Sequence, residues 1–171
     1  CEEGYTAIDD ECYNSVDLAV LQDIADANEI FSDYELFDTG DMGWNENGDL
    51  DSLVYSNISF VPESIGNLNN LKEFWIILSM ELTSIPESIG NLNNLEILII
   101  WGTSIDILPE SICNLSNLEE LNISYNQLTS LPECICDLNI DFTNFQMNFF
   151  FDYNYICPPY PECLLGEEFI D

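Results

Sequence analysis

Seven cysteines and 33 carboxylates are the residues of this 171-residue chain that could do chemistry. Against them stand one basic side chain, Lys72, and no Arg or His, for a net charge of −32. Nucleophilic catalysis needs a hydroxyl or thiol beside a base such as His, and no such pair exists here. Two carboxylates at the right separation hydrolyse glycosides, but among so many acids a close pair arises without selection. No catalytic residue is therefore expected. Zinc would call for His or paired C-x-x-C spacings, which are absent, so no metal site is expected either. The cysteines point instead to disulfides in an oxidising compartment. Cys1 and Cys12 close a short loop, with a lipidated Cys1 as the alternative.

The charge balance excludes whole classes of partner. Nucleic-acid binding runs on Lys and Arg displacing counterions, and anionic membrane surfaces attract the same residues. No segment approaches the roughly 20 apolar residues of a membrane span. The chain has neither an initiator Met nor a signal peptide, as expected of a mature, exported protein at the cell surface or beyond it. Apolar residues make up 47%, enough for a core, and the acidity reads as solubility in a salty medium. Calcium is the one cofactor left open. Asn45-Glu-Asn47-Gly48-Asp49-Leu-Asp51 is oxygen-rich, but Leu50 and Ser56 stand where a calcium loop of the EF-hand type places Gly and Glu.

The elements that position these residues are set by a repeat. Residues 68–91, 92–114 and 115–137 carry nearly the same text at a period of 23 or 24. The third reads Leu118-Glu-Glu-Leu121-Asn-Ile123-Ser-Tyr-Asn126-Gln-Leu128, then Leu131-Pro132-Glu133. This fits Leu-x-x-Leu-x-Leu-x-x-Asn-x-Leu, and the chain resembles the leucine-rich repeat family. Pro62, Pro86, Pro109 and Pro132 share one position, and residues 149–156 add a further, degenerate turn. The resemblance implies an α/β solenoid of about five turns, each adding a short strand to a parallel sheet on the concave side.

That resemblance also implies which side chains face outward. Three columns follow: Ser52, Trp75, Ile99, Asn122 and Phe150; Val54, Ile77, Trp101, Ser124 and Asp152; Tyr55, Leu78, Gly102, Tyr125 and Tyr153. Exposed apolar surface of this extent marks an interaction site, and Trp and Tyr dominate binding hot spots. The candidate binding residues are Tyr55, Trp75, Ile77, Ile99, Trp101, Tyr125, Phe150 and Tyr153. Ser56, Ser79, Thr103, Asn126 and Asn154 form the inward ladder that satisfies backbone groups.

Three regions follow from the organisation: 1–49 as an N-terminal cap, 50–156 as the solenoid and 157–171 as a C-terminal capping loop. In the first, Leu18, Leu21 and Ile24 share a face of a helix over 17–28, with Ser15 or Asp17 as its cap. The insertion at 139–148, with Phe142, Phe145 and Met147, is a candidate cover for the concave rings. Gly66, Gly90, Cys113 and Cys136 are equivalent, which predicts a Cys113–Cys136 staple between turns. Cys157–Cys163 would close the last loop, leaving Cys134 free or intermolecular. Glu63, Glu87, Glu110 and Glu133 make a like-charge ladder, read as a solvated edge. Asn57, Asn114 and Asn122 head glycosylation sequons, roughly as many as chance supplies. The whole chain also resembles secreted repeat proteins of aquatic microbes. Two non-enzymatic roles are expected: a subunit assembling with itself head to tail, or a monomer binding a protein or neutral glycan on its concave face.

Overall fold

The computed structural model describes residues 1–9, 11–29, 42–142 and 148–165. Phe145 and Met147, two of the three residues expected to form the cover, lie outside them. A hairpin of β1 (Tyr5–Ile8) and β2 (Glu11–Asn14) opens the chain, closed by the Cys1–Cys12 disulfide. Helix α1 follows at Ser15–Ala27. A six-stranded sheet then runs in sequence order: β3 (Met42–Trp44), β4 (Leu50–Ser56), β5 (Glu73–Ile77), β6 (Ile97–Trp101), β7 (Glu120–Asn122) and β8 (Phe149–Phe150). β3 is antiparallel to β4, and the other five strands are parallel, one per turn of a solenoid.

Each turn reverses on the far side through a short 3₁₀ segment: Glu63–Asn67, Glu87–Asn91, Glu110–Asn114, Glu133–Asp137 and Glu162–Leu164. The reason is local. Proline fixes φ and has no N–H to leave unpaired, so it enters the bend at no hydrogen-bonding cost. Its carbonyl then accepts the N–H three residues on, from Ile65, Ile89, Ile112, Ile135 and Leu164 at 3.0–3.1 Å. Glutamate follows each proline, and two of the carboxylates reach the next turn: Glu63 accepts from the Ser88 N–H and Glu87 from that of Ser111, both at 3.2 Å. The acidic ladder is thus partly a set of caps on neighbouring 3₁₀ segments, where a negative charge is favourable.

Leu68, Leu71, Leu92, Leu95, Leu115 and Leu118 are fully buried, and with Phe74, Leu98, Leu121 and Phe149 they build one continuous core. Burying a Leu side chain contributes about 1.5–3 kcal/mol. The polar ladder lies inside it. The Asn126 amide donates to Ile100 and Ile123 carbonyls at 2.7 and 2.8 Å, and its oxygen accepts from the Thr103 N–H. Asn154 repeats the pattern one turn on, and the Ser79 hydroxyl accepts from the Ile58 N–H. Ser56, expected as the first rung, is exposed at the end of β4 instead.

The first open end is covered by α1. Val20, Leu21, Ile24 and Ala25 are buried, and the helix cap is Asn14, whose side chain accepts from the Val16 N–H, rather than Ser15 or Asp17. Asp17 is buried and accepts from the Leu50 N–H at 2.8 Å, joining helix to sheet. Asn28 completes the join. Its oxygen accepts from the Ser59 and Phe60 N–H groups, and its amide donates to the Phe60 carbonyl.

Cys1–Cys12 forms as expected, but the other two disulfides differ from the expected pairs. Cys113 bonds Cys134 and Cys136 bonds Cys163, leaving Cys157 as the exposed free thiol. The cause is the direction of the Cα–Cβ bond. At the equivalent positions Gly66 and Gly90, an added Cβ would point at Ser88 and Ser111 of the next turn, 2.9 and 2.7 Å from their Cβ atoms. These partners are the second residue after proline, the place held by Cys134 and Cys163. Equivalent positions such as 113 and 136 lie side by side with parallel bonds, so their sulfurs do not converge. The last loop is therefore stapled backward onto the solenoid rather than closed on itself.

Candidate functional site

The strand register sets the floor of the site. Val54, Trp75, Ile99, Asn122 and Phe150 form one row, and Ser56, Ile77 and Trp101 the next. Trp75, Ile77, Ile99, Trp101 and Phe150 sit half-buried on the open face. Tyr55 does not join them. It pairs with Ile76, points into the core and is 2% exposed, and burial pushes its hydroxyl up to about 12. The first turn has two fewer residues between strand and proline than the turn of β6, because Asn28 supplies the missing backbone partners. Alignment on Pro62 therefore places β4 two residues out of step.

The rim of the site comes from backbone conformation. Just beyond each strand one residue adopts positive φ: Asn57 at 57°, Leu78 at 52°, Gly102 at 68°, Tyr125 at 58° and Tyr153 at 56°. Gly102 is the residue type this conformation favours. A side chain there costs about 1 kcal/mol or more, and the column nonetheless holds a Leu and two Tyr. It turns them outward, leaving Leu78 46%, Tyr125 45% and Tyr153 70% exposed. The rings form a chain: Trp101 meets Tyr125 edge to face at 5.3 Å, and Tyr125 stacks on Tyr153 at 4.1 Å and 18°. The neighbouring Tyr153 hydroxyl, with slight burial and the Asp152 charge, holds the Tyr125 hydroxyl protonated to higher pH.

Met80 and Tyr155, exposed beside this column, were not among the sequence candidates. They lie past the strands, where strand periodicity carries no signal. Phe142 turns away from the rim and packs on Phe149 of the core at 5.3 Å.

Acid surrounds the apolar surface. Glu73 and Glu120 head their strands, and burial, with the Glu73 charge, raises the Glu120 carboxyl. Lys72 is engaged with Glu96 at 3.6 Å. In the 45–51 loop, Asn45 and Asp49 spend their side-chain oxygens on hydrogen bonds within the protein. The Asn45 oxygen accepts from the Asn47 and Asp49 N–H groups, and Asp49 from the Tyr5 hydroxyl and Asn14 amide at 2.8 and 2.9 Å. Among the described residues no group of His, Cys, Asp and Glu is placed to hold a metal ion. Of the sequon residues, Asn57 and Asn114 are exposed, whereas Asn122 sits half-buried on the open face and accepts from the Ser124 N–H.

A parallel-stranded solenoid with one strand per turn and an exposed aromatic rim defines a class of repeat proteins. The pattern described as a leucine-rich repeat region matches residues 49–140, more than half of the chain. The chain belongs to the leucine-rich repeat family. The leucine-rich repeat ectodomain of the receptor kinase SOBIR1 from Arabidopsis thaliana is similar at a TM-score of 0.61 and 21% identity, over 84% of this chain and 94% of that one. The BIR3–SERK2 complex from Arabidopsis thaliana gives 0.65 and 18%, over 90% and 89%. A plant ice-binding protein gives 0.65 and 22%, over 83% and 49%. At these identities the likeness is one of fold. No curated protein sequence matches the chain. Among the described residues no helix is long and apolar enough to cross a membrane.

Proposed function

We propose that this chain is a non-enzymatic, extracellular interaction module that docks a cationic polypeptide on the rim formed by Trp101, Tyr125 and Tyr153. The observation that carries this reading is the positive-φ column: bulky side chains are held, at a local cost, in the conformation that exposes them. Strain of this kind marks functional positions, and rigid exposed Tyr and Trp make effective anchors. The net charge of −32 selects the partner's sign and steers its approach. Stacking of Tyr125 on Tyr153 occupies one face of each ring, which favours side chains meeting ring edges over a sugar needing open faces. Three disulfides support an oxidising location.

The test is an array of cationic, neutral and anionic peptides, with a parallel array of neutral glycans, probed at graded salt. Bound peptides should combine Lys or Arg with apolar side chains and weaken as salt rises. Replacing Tyr125 and Tyr153 together with Ala should lower affinity at least about tenfold, as loss of hot-spot side chains does, with the fold retained. Binding indifferent to that pair, or confined to neutral glycans, would sink the proposal. Self-assembly is the second reading, supported by the exposed Cys157 thiol and opposed by the cover that α1 lays over the first end of the solenoid. Light scattering with and without reductant separates the two.

A further inference from the structure

A second site lies at the N-terminal cap, away from the rim. The turn after β3 folds against the disulfide-closed hairpin and leaves a cavity of about 420 Å³, lined by Glu11, Tyr13, Trp44, Asn45, Glu46 and Asn47 together with Cys12 and Gly48. Tyr13 and Trp44 stand with centroids 4.7 Å apart and planes at 69°, so they form two walls of a corner rather than a stack. The Tyr13 hydroxyl donates to Glu11 at 2.6 Å, which fixes a carboxylate at the edge of that corner. Glu46 approaches from the turn. The walls are rigidly supported: Gly48 packs so tightly on the hairpin that an added Cβ would overlap the Cys12 carbonyl oxygen, and the Asn14 N–H donates to the Gly48 carbonyl at 2.8 Å.

The chemistry of this corner selects one kind of ligand. Aromatic faces carry negative potential and attract a cation held against them. Neither side-chain cation nor His lines the cavity, so an anion finds no counter-charge there. A hard metal ion needs several oxygens converging on one point, and two walls of this site are rings. A cation with an apolar, weakly hydrated surface satisfies both the rings and the carboxylates. We infer that the corner of Tyr13 and Trp44, bordered by Glu11 and Glu46, binds an alkylammonium head group such as a trimethylammonium.

The test uses the full, disulfide-intact chain and choline chloride as the probe. Trp44, Trp75 and Trp101 are the three tryptophans, so each indole N–H gives its own nuclear magnetic resonance signal. Choline should move the Trp44 signal saturably and leave Trp75 and Trp101 in place, while sodium chloride at equal ionic strength should not reproduce the shift. Trp44→Leu should abolish binding, read by competition with a labelled choline analogue. Glu11→Gln and Glu46→Gln, surface changes that spare the fold, should each weaken it roughly fivefold. Absence of a saturable shift, an equal response to sodium, comparable movement of all three indoles, or full affinity in the double Gln variant would overturn the inference. The site is independent of the rim, so its failure leaves the peptide-docking proposal untouched.

Discussion

The two halves of the 3₁₀ side make the same contact by different means. In the N-terminal half, Gly66 and Gly90 let the backbone of one turn close onto Ser88 and Ser111 of the next. In the C-terminal half, the same positions hold Cys113 and Cys136, bonded to Cys134 and Cys163. The first solution depends on having no side chain, the second on a covalent one. The contrast shows that the diagonal between these two positions is a designated coupling point between turns. It also shows that the turns nearest the C-terminus are tied covalently, where the strands shorten from five residues in β6 to three in β7 and two in β8.

The comparison breaks most severely if both staples are removed. Each closes a loop of 20 to 30 residues, worth about 3 kcal/mol by loop entropy. Replacing Cys113, Cys134, Cys136 and Cys163 with Ser should therefore cost about 6 kcal/mol in urea unfolding. Hydrogen exchange should quicken first in β7 and β8. Equal loss of protection in β4 and β5 would show that the staples serve the whole solenoid rather than its end.

A smaller effect tests the glycine half. Gly90→Ala puts a methyl 2.3 Å from the Ser111 carbonyl oxygen, and Gly66→Ala 2.6 Å from that of Ser88. Backbone must shift in both, at about 1–3 kcal/mol, with Gly90→Ala the worse. Thermal melts that leave either variant unchanged would mean that the turns separate freely.

The cap offers a pH test. Asp49 is partly desolvated, which pushes its carboxyl up, but hydrogen bonds from Asn14, Tyr5 and Asn45 together hold it below its ordinary 3.8. A carboxyl lowered on folding adds stability above the unfolded value and loses it as pH falls through the folded one. Asp49→Asn should thus cost about 1 kcal/mol at pH 7, and the difference from wild type should close in acid below pH 3.8. Asp17 behaves oppositely. Burial raises it, against the Leu50 N–H bond and with the Asp49 charge, so its ionisation opposes folding as pH rises through its folded value. Denaturant curves from pH 2 to 7 that run parallel for wild type and Asp49→Asn would remove the network from the account.

The smallest effect falls on the odd cysteine. The native protein should take up one equivalent of a thiol reagent, at Cys157, and Cys157→Ser should change stability by less than about 0.5 kcal/mol. Labelling at Cys134 instead would reverse the pairing.

The sequence read the solenoid well where the signal is periodic. Inward leucines at 68, 71, 92, 95, 115 and 118 fix the turns, and β5 through β8 stand in the expected register. The first strand slipped because its short turn is completed by Asn28, about 30 residues away, a tertiary hydrogen bond that no local pattern encodes. The two disulfides of the C-terminal turns slipped because a column of equivalent positions says nothing of where each Cβ points. Yet Pro161-Glu162-Cys163 repeats Pro132-Glu133-Cys134 and was there to be read. Strand alternation found Trp75 and Trp101 but overstated their exposure. Leu78, Met80 and Tyr155 owe theirs to the bend after the strand.

The placement of the staples also gives the chain a direction under load. Pulled from its ends, the unstapled turns of the N-terminal half can unroll one after another, each releasing about 80 Å of chain at ~3.4 Å per residue. Loops 113–134 and 136–163 enclose β7 and β8, so the force runs through sulfur and never reaches those strands. The rim residues Tyr125 and Tyr153 lie inside the two shielded loops, and a partner gripping them would hold on after half the molecule has been drawn out as thread.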